Sequence, residues 1–180
     1  MTDVTGPTLY VLVGLPGSGK TTYARRLEVQ RRALRLTPDE WMIPLFGEPE
    51  ADGGRDVLEG RMVWLAVRAL RLGVSVILDF GVWSKDERDA LRWLAAREAA
   101  ACELVYLPVD EVEQRRRVEA RLASDAGSTF HISPDELDEY RRLFQEPDRD
   151  ELTSATIADP PPEFRTWGDW AAQRWPTSMD

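Results

Sequence analysis

The chain has 180 residues, of which 43% are hydrophobic and 31% are charged, enough for one folded domain with a substantial core. Its formal net charge of −9 disfavours a protein whose main task is to bind nucleic acid through the phosphates, without excluding it. The single cysteine, Cys102, rules out an internal disulfide framework, and no apolar run approaches the ~20 residues of a membrane span. Residues 1–7 lack the basic and apolar stretches of a signal peptide, so we expect a cytoplasmic protein without a membrane partner.

Strand-like and helical segments alternate along the chain, which is typical of a parallel sheet covered by helices. The predicted strands are residues 9–13, 33–36, 74–78, 102–109 and 151–157. The predicted helices are residues 20–33, 56–72, 85–101, 110–124, 133–144 and 164–175, with a further helix starting at Thr37. Neither a repeat nor a linker divides the sequence. We therefore predict a single α/β domain over residues 1–180, with three layers and a five-stranded parallel sheet.

The run Gly-Leu-Pro-Gly-Ser-Gly-Lys-Thr, residues 14–21, lies between the first predicted strand and the first predicted helix. It satisfies the phosphate-binding pattern G-x-x-x-x-G-K-[ST], and its position between a strand and a helix is the context that this pattern requires. Glycines let the backbone curl so that several N–H groups point at a phosphate, and the helix adds its positive end. This Walker A motif predicts the P-loop NTPase form of the α/β fold.

Each polar residue of the loop has an expected role. Lys20 supplies a charge for the β- and γ-phosphates, the hydroxyl of Thr21 is placed to bind Mg²⁺, and Thr22 can reach the α-phosphate. The predicted nucleotide-binding residues of the loop are Gly14, Pro16, Gly17, Ser18, Gly19, Lys20, Thr21 and Thr22.

Two acidic residues follow predicted strands at the same edge of the sheet. Asp79 ends an apolar strand, where a carboxylate can hold Mg²⁺ through a water opposite Thr21; alternatively it begins the next turn. Asp39 follows the second strand, where a carboxylate can take the proton from an attacking hydroxyl; alternatively it complements the dipole of the helix that it begins.

Four arginines, Arg115, Arg116, Arg117 and Arg121, form a basic cluster in an otherwise acidic chain. Arg117 and Arg121 are four residues apart on one helix face and precede a polar loop, so they can close over phosphates and stabilise charge during transfer. The alternative is a solvated face paired with neighbouring glutamates, which accounts well for Arg115 and Arg116.

Two further features are better explained by structure than by chemistry. His131 is the only histidine, and we interpret it as a loop or lid residue since the sequence offers no partners for a metal or nucleophile set. Trp167, Trp170 and Trp175 recur at helical spacing, which favours packing of a C-terminal helix, about residues 164–175, against the core.

Taken together, these motifs resemble the small P-loop kinases related to polynucleotide kinase, zeta toxin and chloramphenicol phosphotransferase, also described as AAA-type ATP-binding proteins. The resemblance covers about residues 9–144 and is strongest to the kinase domain of phage-type 5′-polynucleotide kinase. It implies that Asp39 is the general base, that Arg117 and Arg121 contact ATP from a helical lid at about residues 117–135, and that Asp79 serves Mg²⁺.

The sequence departs from the polynucleotide kinases at two places. An arginine that meets the substrate phosphate in those enzymes is replaced here by Met42, and their Asp-Thr-Asn after the third strand is Asp79-Phe80-Gly81. Both changes weaken the case for a 3′-phosphorylated nucleic-acid end as acceptor. We therefore expect a pocket for a small-molecule hydroxyl substrate.

The residues predicted to line this acceptor pocket are Asp39, Trp41, Met42, Arg61 and Trp83, with residues 46–61 contributing to its wall and Trp83 near its mouth. The sequence thus predicts an ATP- and Mg²⁺-dependent phosphotransferase acting on a hydroxyl of a small molecule. Two alternatives stay open: a polynucleotide or nucleoside kinase, in which Arg55 or Arg61 replaces the missing arginine, and a nucleotide-hydrolysing switch protein.

Overall fold

The computed structural model describes residues 6–47, 53–124, 132–153 and 156–179. Within these ranges, four parallel strands form one sheet in the order β2-β3-β1-β4. The strands are β1 (Thr8–Val13), β2 (Leu34–Leu36), β3 (Val76–Leu78) and β4 (Ala101–Tyr106). The carboxyl ends of all four strands meet at one edge of the sheet, which is where ligands bind in open α/β folds.

Helices connect and cover the strands, and a short 3₁₀ helix, Pro38–Glu40, follows β2. The α-helices are α1 (Lys20–Arg31), α2 (Met42–Phe46), α3 (Gly54–Arg71), α4 (Lys85–Arg97), α5 (Glu111–Ser124), α6 (Pro134–Leu143), α7 (Arg149–Thr153) and α8 (Trp167–Arg174). None of the helices in the described ranges is both long and apolar enough to cross a membrane.

The alternation of side chains along β1 divides the core between the two faces of the sheet. Leu9, Val11 and Val13 pack into a large cluster with residues of α3, α4 and α8. Tyr10 and Leu12 point to the opposite face, into a smaller cluster that includes residues of α1. Because successive strand residues face opposite sides, β1 needs apolar residues at nearly every position. Helices cover both faces of the sheet, which confirms the predicted three-layer architecture.

The predicted fifth strand, residues 151–157, is wrong. Residues 149–153 form the short helix α7, and residues 154–155 lie outside the described ranges. Asp148 accepts a hydrogen bond from the backbone N–H of Glu151, 2.8 Å, which is a helix-start arrangement. The Glu151 carboxylate is then held by the buried Arg88 guanidinium at 2.7 and 3.0 Å, so a long-range ion pair fixes this segment as a helix.

The C-terminal segment packs against α3 and α4, as the tryptophan spacing predicts. Trp167 and Trp175 are buried in the larger core cluster, and Trp170 contacts both rings edge-on. A Cβ at Gly60 of α3 would lie 1.8 Å from the carbonyl oxygen of Pro176, so the segment after α8 crosses α3 at a glycine. The two segments can pass this closely because residue 60 has no side chain.

Candidate active site

The loop between β1 and α1 has the conformation that a phosphate cradle needs. Gly17 and Gly19 have φ of 81° and 94°, in the left-handed region that favours glycine. A Cβ at Gly14 would lie 2.7 Å from the carbonyl oxygen of Leu107, which follows β4. Helix α1 begins at Lys20, so its positive end faces the loop. The loop therefore fits the phosphates of a nucleotide.

Lys20 is held within the loop by two carbonyl groups. Its Nζ donates to the carbonyl oxygens of Gly14 and Leu15 at 2.8 and 2.9 Å. Burial lowers the pKa of Lys20 to about 8, although the nearby carboxylates of Asp79 and Asp39 favour the charged form. A bound phosphate would favour the charged form further.

Thr21 and Asp79, the two residues predicted to serve Mg²⁺, lie in contact with each other. The Thr21 hydroxyl donates to Oδ1 of Asp79 at 3.4 Å, and burial raises the pKa of the Asp79 carboxyl, opposed by Arg35 and Lys20. Magnesium in such sites takes few protein ligands and keeps several waters, so a hydroxyl and one carboxylate suit it. In the described residues, no group of three or more His, Cys, Asp or Glu side chains forms a separate metal cluster.

A cavity of about 610 Å³ opens at the carboxyl ends of the strands. Most of the predicted site residues border it, even though they come from four separate parts of the sequence. These residues are Pro16, Gly17, Gly19, Lys20, Thr21, Thr22, Asp39, Asp79, Trp83, Arg117 and Arg121. Gly14 and Ser18 lie behind the loop surface and do not border the cavity.

Asp39 faces the cavity from the 3₁₀ helix after β2, and its side chain is half exposed. Nη1 of Arg55, in the first turn of α3, lies 3.1 Å from its Oδ1. The carboxylate therefore borders the same cavity as Lys20 and is held by a guanidinium.

The two predicted phosphate-contacting arginines project from α5 toward the loop. Arg117 donates to the carbonyl oxygen of Gly17 at 3.3 Å and pairs with Glu113, and Arg121 borders the same cavity. Arg115 and Arg116 point elsewhere and pair with Glu111 and Glu113, which confirms the solvated-face interpretation for them.

Three residues predicted to line the acceptor pocket do not border the cavity. Met42 is fully buried in the core, where α2 packs on α3. Trp41 is exposed at the start of α2, away from the cavity. Arg61 lies two residues beyond Glu59 on α3, so it faces another direction, stacks 4.1 Å over Trp64 and donates to the carbonyl oxygen of Thr177.

His131 and most of the predicted lid loop lie outside the described residues. Ile132 and Tyr140, which follow this loop, border the cavity, and the Tyr140 ring packs 4.7 Å from that of Trp83. Trp83 also borders the cavity, in contact with Tyr140. A Cβ at Gly81 would lie 2.7 Å from the indole nitrogen of Trp83.

Asp56 and Glu59 border the cavity and lie within residues 46–61, the region expected to help build the acceptor pocket, although neither was identified individually. Sequence reasoning missed Glu87 and Arg174. The local signal for Glu87 is that it follows Ser84 by three residues in a capping box at the start of α4. The Glu87 carboxylate oxygen that takes no part in the capping box, Oε1, accepts a hydrogen bond from Nε of Arg174 at 2.7 Å. That contact joins residues 87 apart in sequence, so no local pattern could reveal it.

Comparison with known proteins places the chain in a family. The family model for an AAA domain, AAA_33, matches residues 9–147, more than three-quarters of the chain. The chain belongs to this AAA domain family. Helices α7 and α8 lie beyond the matched residues. No curated protein matches the sequence.

Solved structures of the same fold include kinases and a chain of an RNA repair complex. A Pnkp1/Rnl/Hen1 RNA repair complex contains a chain that is 18% identical, with a TM-score of 0.63 over 90% of this chain and 55% of that chain. A sugar kinase from a Janibacter species is 19% identical, with a TM-score of 0.56 over 96% and 97% of the two chains. A gluconokinase from Sinorhizobium meliloti is 16% identical, with a TM-score of 0.55 over 97% and 93%.

These similarities establish the fold, which is that of a small P-loop kinase. The chain spans about half the length of the RNA-repair chain but nearly all of the two small-molecule kinases. Because each identity is below 20%, the acceptor has to be argued from the side chains of the cavity itself.

Proposed function

We propose that this AAA-domain protein is an ATP- and Mg²⁺-dependent kinase that transfers the γ-phosphoryl group to a hydroxyl of a small molecule. One observation carries the proposal: a half-exposed carboxylate, Asp39, borders the same cavity as the phosphate loop. A protein that only binds and hydrolyses nucleotide needs the loop and a magnesium site, whereas transfer to an alcohol also needs a base for the acceptor proton.

The phosphate end of the cavity supplies the charge for transfer. The loop amides and Lys20 bind the phosphates, and the guanidinium groups of Arg117 and Arg121 approach from the α5 side. Thr21 and Asp79 would hold Mg²⁺, which neutralises phosphate charge when bound. The phosphate loop and the end of β3 hold Lys20, Thr21 and Asp79 in place, so these three side chains need little reorganisation during the reaction.

The acceptor end of the cavity would orient the hydroxyl toward Asp39. The carboxylate accepts the hydroxyl proton as the oxygen attacks phosphorus, and the bond from the γ-phosphorus to the bridging oxygen breaks, leaving ADP. The Arg55 guanidinium restrains the Asp39 side chain, which favours a single orientation for proton transfer.

A nucleic-acid kinase is the less favoured alternative. The similarity to a chain of an RNA repair complex supports it, but the overall charge of −9 and the burial of Met42, where the polynucleotide kinases carry an arginine, do not. The acceptor side of this cavity also carries several carboxylates, which would repel a phosphorylated end.

The test is transfer from γ-labelled ATP to a panel of nucleosides, oligonucleotide 5′-ends, sugars and hydroxylated antibiotics. We expect label on one small-molecule class, lost at least about a hundredfold in Asp39→Asn and abolished in Lys20→Ala. Glu139→Gln is the control, because Glu139 is a half-exposed carboxylate on α6 that pairs with Arg142 and does not border the cavity. Release of inorganic phosphate only, with no effect of Asp39→Asn, would instead indicate a nucleotide switch.

A further inference from the structure

The cavity has a second charged region, formed by residues outside the phosphate loop. Helix α3 contributes Asp56 and Glu59, α4 contributes Glu87, and α8 contributes Arg174. None of these belongs to the phosphate-binding motif. We call these four residues the acidic wall.

The acidic wall is tied together by one guanidinium. Nε of Arg174 lies 2.7 Å from Glu87, Nη1 lies 3.4 Å from Asp56, and Nη2 lies 3.9 Å from Glu59. Glu59 in turn pairs with Arg55 at 3.2 Å, and Arg55 pairs with Asp39. Carboxylates and guanidinium groups therefore alternate from α8 to the proposed base.

The charges of this region do not balance. Asp39, Asp56, Glu59 and Glu87 are four carboxyl groups, whereas Arg55 and Arg174 are two guanidinium groups, so the region carries a net charge of about −2 when Glu59 is ionised and about −1 when it is protonated. The side chains of Glu59 and Glu87 are nearly buried, at 6% and 7% exposed, so solvent screens them weakly. Both guanidinium groups already contact carboxylates.

We propose that the acidic wall is the acceptor subsite and selects a polyhydroxylated molecule without negative charge, with its carboxylates disfavouring anions and Arg174 helping to bind the hydroxyls. This inference rests on the proposed kinase function and deepens it. The preference for hydroxyls follows from their hydrogen-bonding chemistry. A hydroxyl donates one hydrogen bond and accepts others, so a row of hydroxyls matches a row of alternating carboxylates and guanidinium groups.

The exclusion of anions follows from the same arrangement. A carboxylate or phosphate on the acceptor would approach these carboxylates, while Arg55 and Arg174 already pair with carboxylates of the region. Glu59 and Glu87 are nearly buried, so solvent screens their repulsion of an anion weakly and such acceptors should be disfavoured.

Arg174 comes from outside the matched family domain, which ends at residue 147. Its position depends on α8, which is anchored by Trp167 and Trp175 in the core and by the crossing of Pro176 over Gly60. The C-terminal segment thus adds a side chain to a cavity otherwise built by the family domain. A residue contributed by such an addition can help to bind the acceptor without altering the phosphate loop.

The experiment compares matched acceptors that differ in charge: neutral sugars and alditols, each beside its carboxylate or phosphate counterpart. We expect kcat/KM for the neutral member to exceed that for the anionic member by at least about tenfold. Arg174→Gln should raise KM for the neutral acceptor about tenfold with kcat changed much less, and Arg174→Lys should recover part of the loss. Asp56→Asn should reduce the ratio of kcat/KM between the neutral and the anionic member. Asp86→Asn should leave this ratio unchanged, because Asp86 is an acidic residue that does not border the cavity.

Acceptor binding separates this inference from the kinase proposal. Calorimetric titration of the same matched pairs into the ADP-bound protein needs no catalysis. Binding of neutral members without any phosphoryl transfer would support the acidic wall as a subsite and count against the kinase function. Transfer that favours an anionic member, binding of no neutral member, or a KM unaffected by Arg174→Gln would each overturn the inference.

Discussion

Arg35 and Asp79 form a buried ion pair between neighbouring strands, with Nη1 of Arg35 lying 3.3 Å from Oδ2 of Asp79. The other carboxylate oxygen, Oδ1, accepts from the Thr21 hydroxyl, so each oxygen of Asp79 has its own partner. The two side chains are 8% and 1% exposed. Arg35 thereby fixes the orientation of the carboxylate that we expect to serve Mg²⁺.

Arg35→Met should destabilise the fold strongly, because it leaves Asp79 buried without its cationic partner. We expect a loss of about 3–5 kcal/mol in the free energy of unfolding, measured by urea denaturation. Arg25→Met is the matched control, since Arg25 is 65% exposed and touches Glu40 at 3.4 Å, so its loss should stay below about 1 kcal/mol. Equal losses in the two variants would contradict the importance of the buried pair.

Arg121→Ala should slow phosphoryl transfer more than it weakens nucleotide binding. A guanidinium that stabilises charge developing during transfer contributes mainly to kcat, so we expect turnover to fall about a hundredfold, with a change in the Kd of ADP below about tenfold. Arg116→Ala is the control on the same helix, because Arg116 is 67% exposed and pairs with Glu113. An unchanged turnover in Arg121→Ala would assign this residue to the solvated face instead.

The acidic wall should make stability depend on pH through Glu59. Burial raises the pKa of Glu59 to about 7, with Arg55 and Arg174 opposing the shift. The folded state therefore binds this proton more tightly than the unfolded chain, in which glutamate titrates near 4.5. The contribution of this protonated Glu59 to the free energy of unfolding is fully present below pH about 4.5 and is lost as the pH rises through about 7.

Glu59→Gln removes this titration and tests it directly. Between pH 5 and pH 8, the melting temperature of the unaltered protein should fall relative to that of the variant by several degrees, since 1 kcal/mol corresponds to about 2–4 °C for a chain of this size. Glu103→Gln, a substitution on the surface of β4, should leave the pH profile unchanged. Parallel profiles for the unaltered protein and Glu59→Gln would show that Glu59 titrates at the same pH folded and unfolded.

Local patterns predicted most of the elements. The phosphate loop, the capping boxes at Ser84 and Ser133 and the apolar run of β3 all depend on interactions within a few residues. The predicted fifth strand failed because residues 151–157 are compatible with more than one local structure. The ion pair between Glu151 and Arg88, 63 residues apart, decided between them.

Candidate site residues were predictable where strand ends and motif spacing place them. Lys20, Thr21, Asp39 and Asp79 share one edge because parallel strands bring their carboxyl ends together. Met42 and Arg61 were wrongly predicted to line the acceptor pocket, because the direction of a side chain depends on how α2 and α3 pack and not on its distance from a motif.

The sequence by itself determined the phosphate loop, the α/β class and the edge of the sheet at which chemistry can occur, because these follow from short-range backbone preferences and the geometry of parallel strands. Only the tertiary structure decided that Arg35 pairs with Asp79 and that Arg174 reaches the cavity. Both contacts join charged side chains from separate elements, and their strength depends on burial that the packed core alone creates.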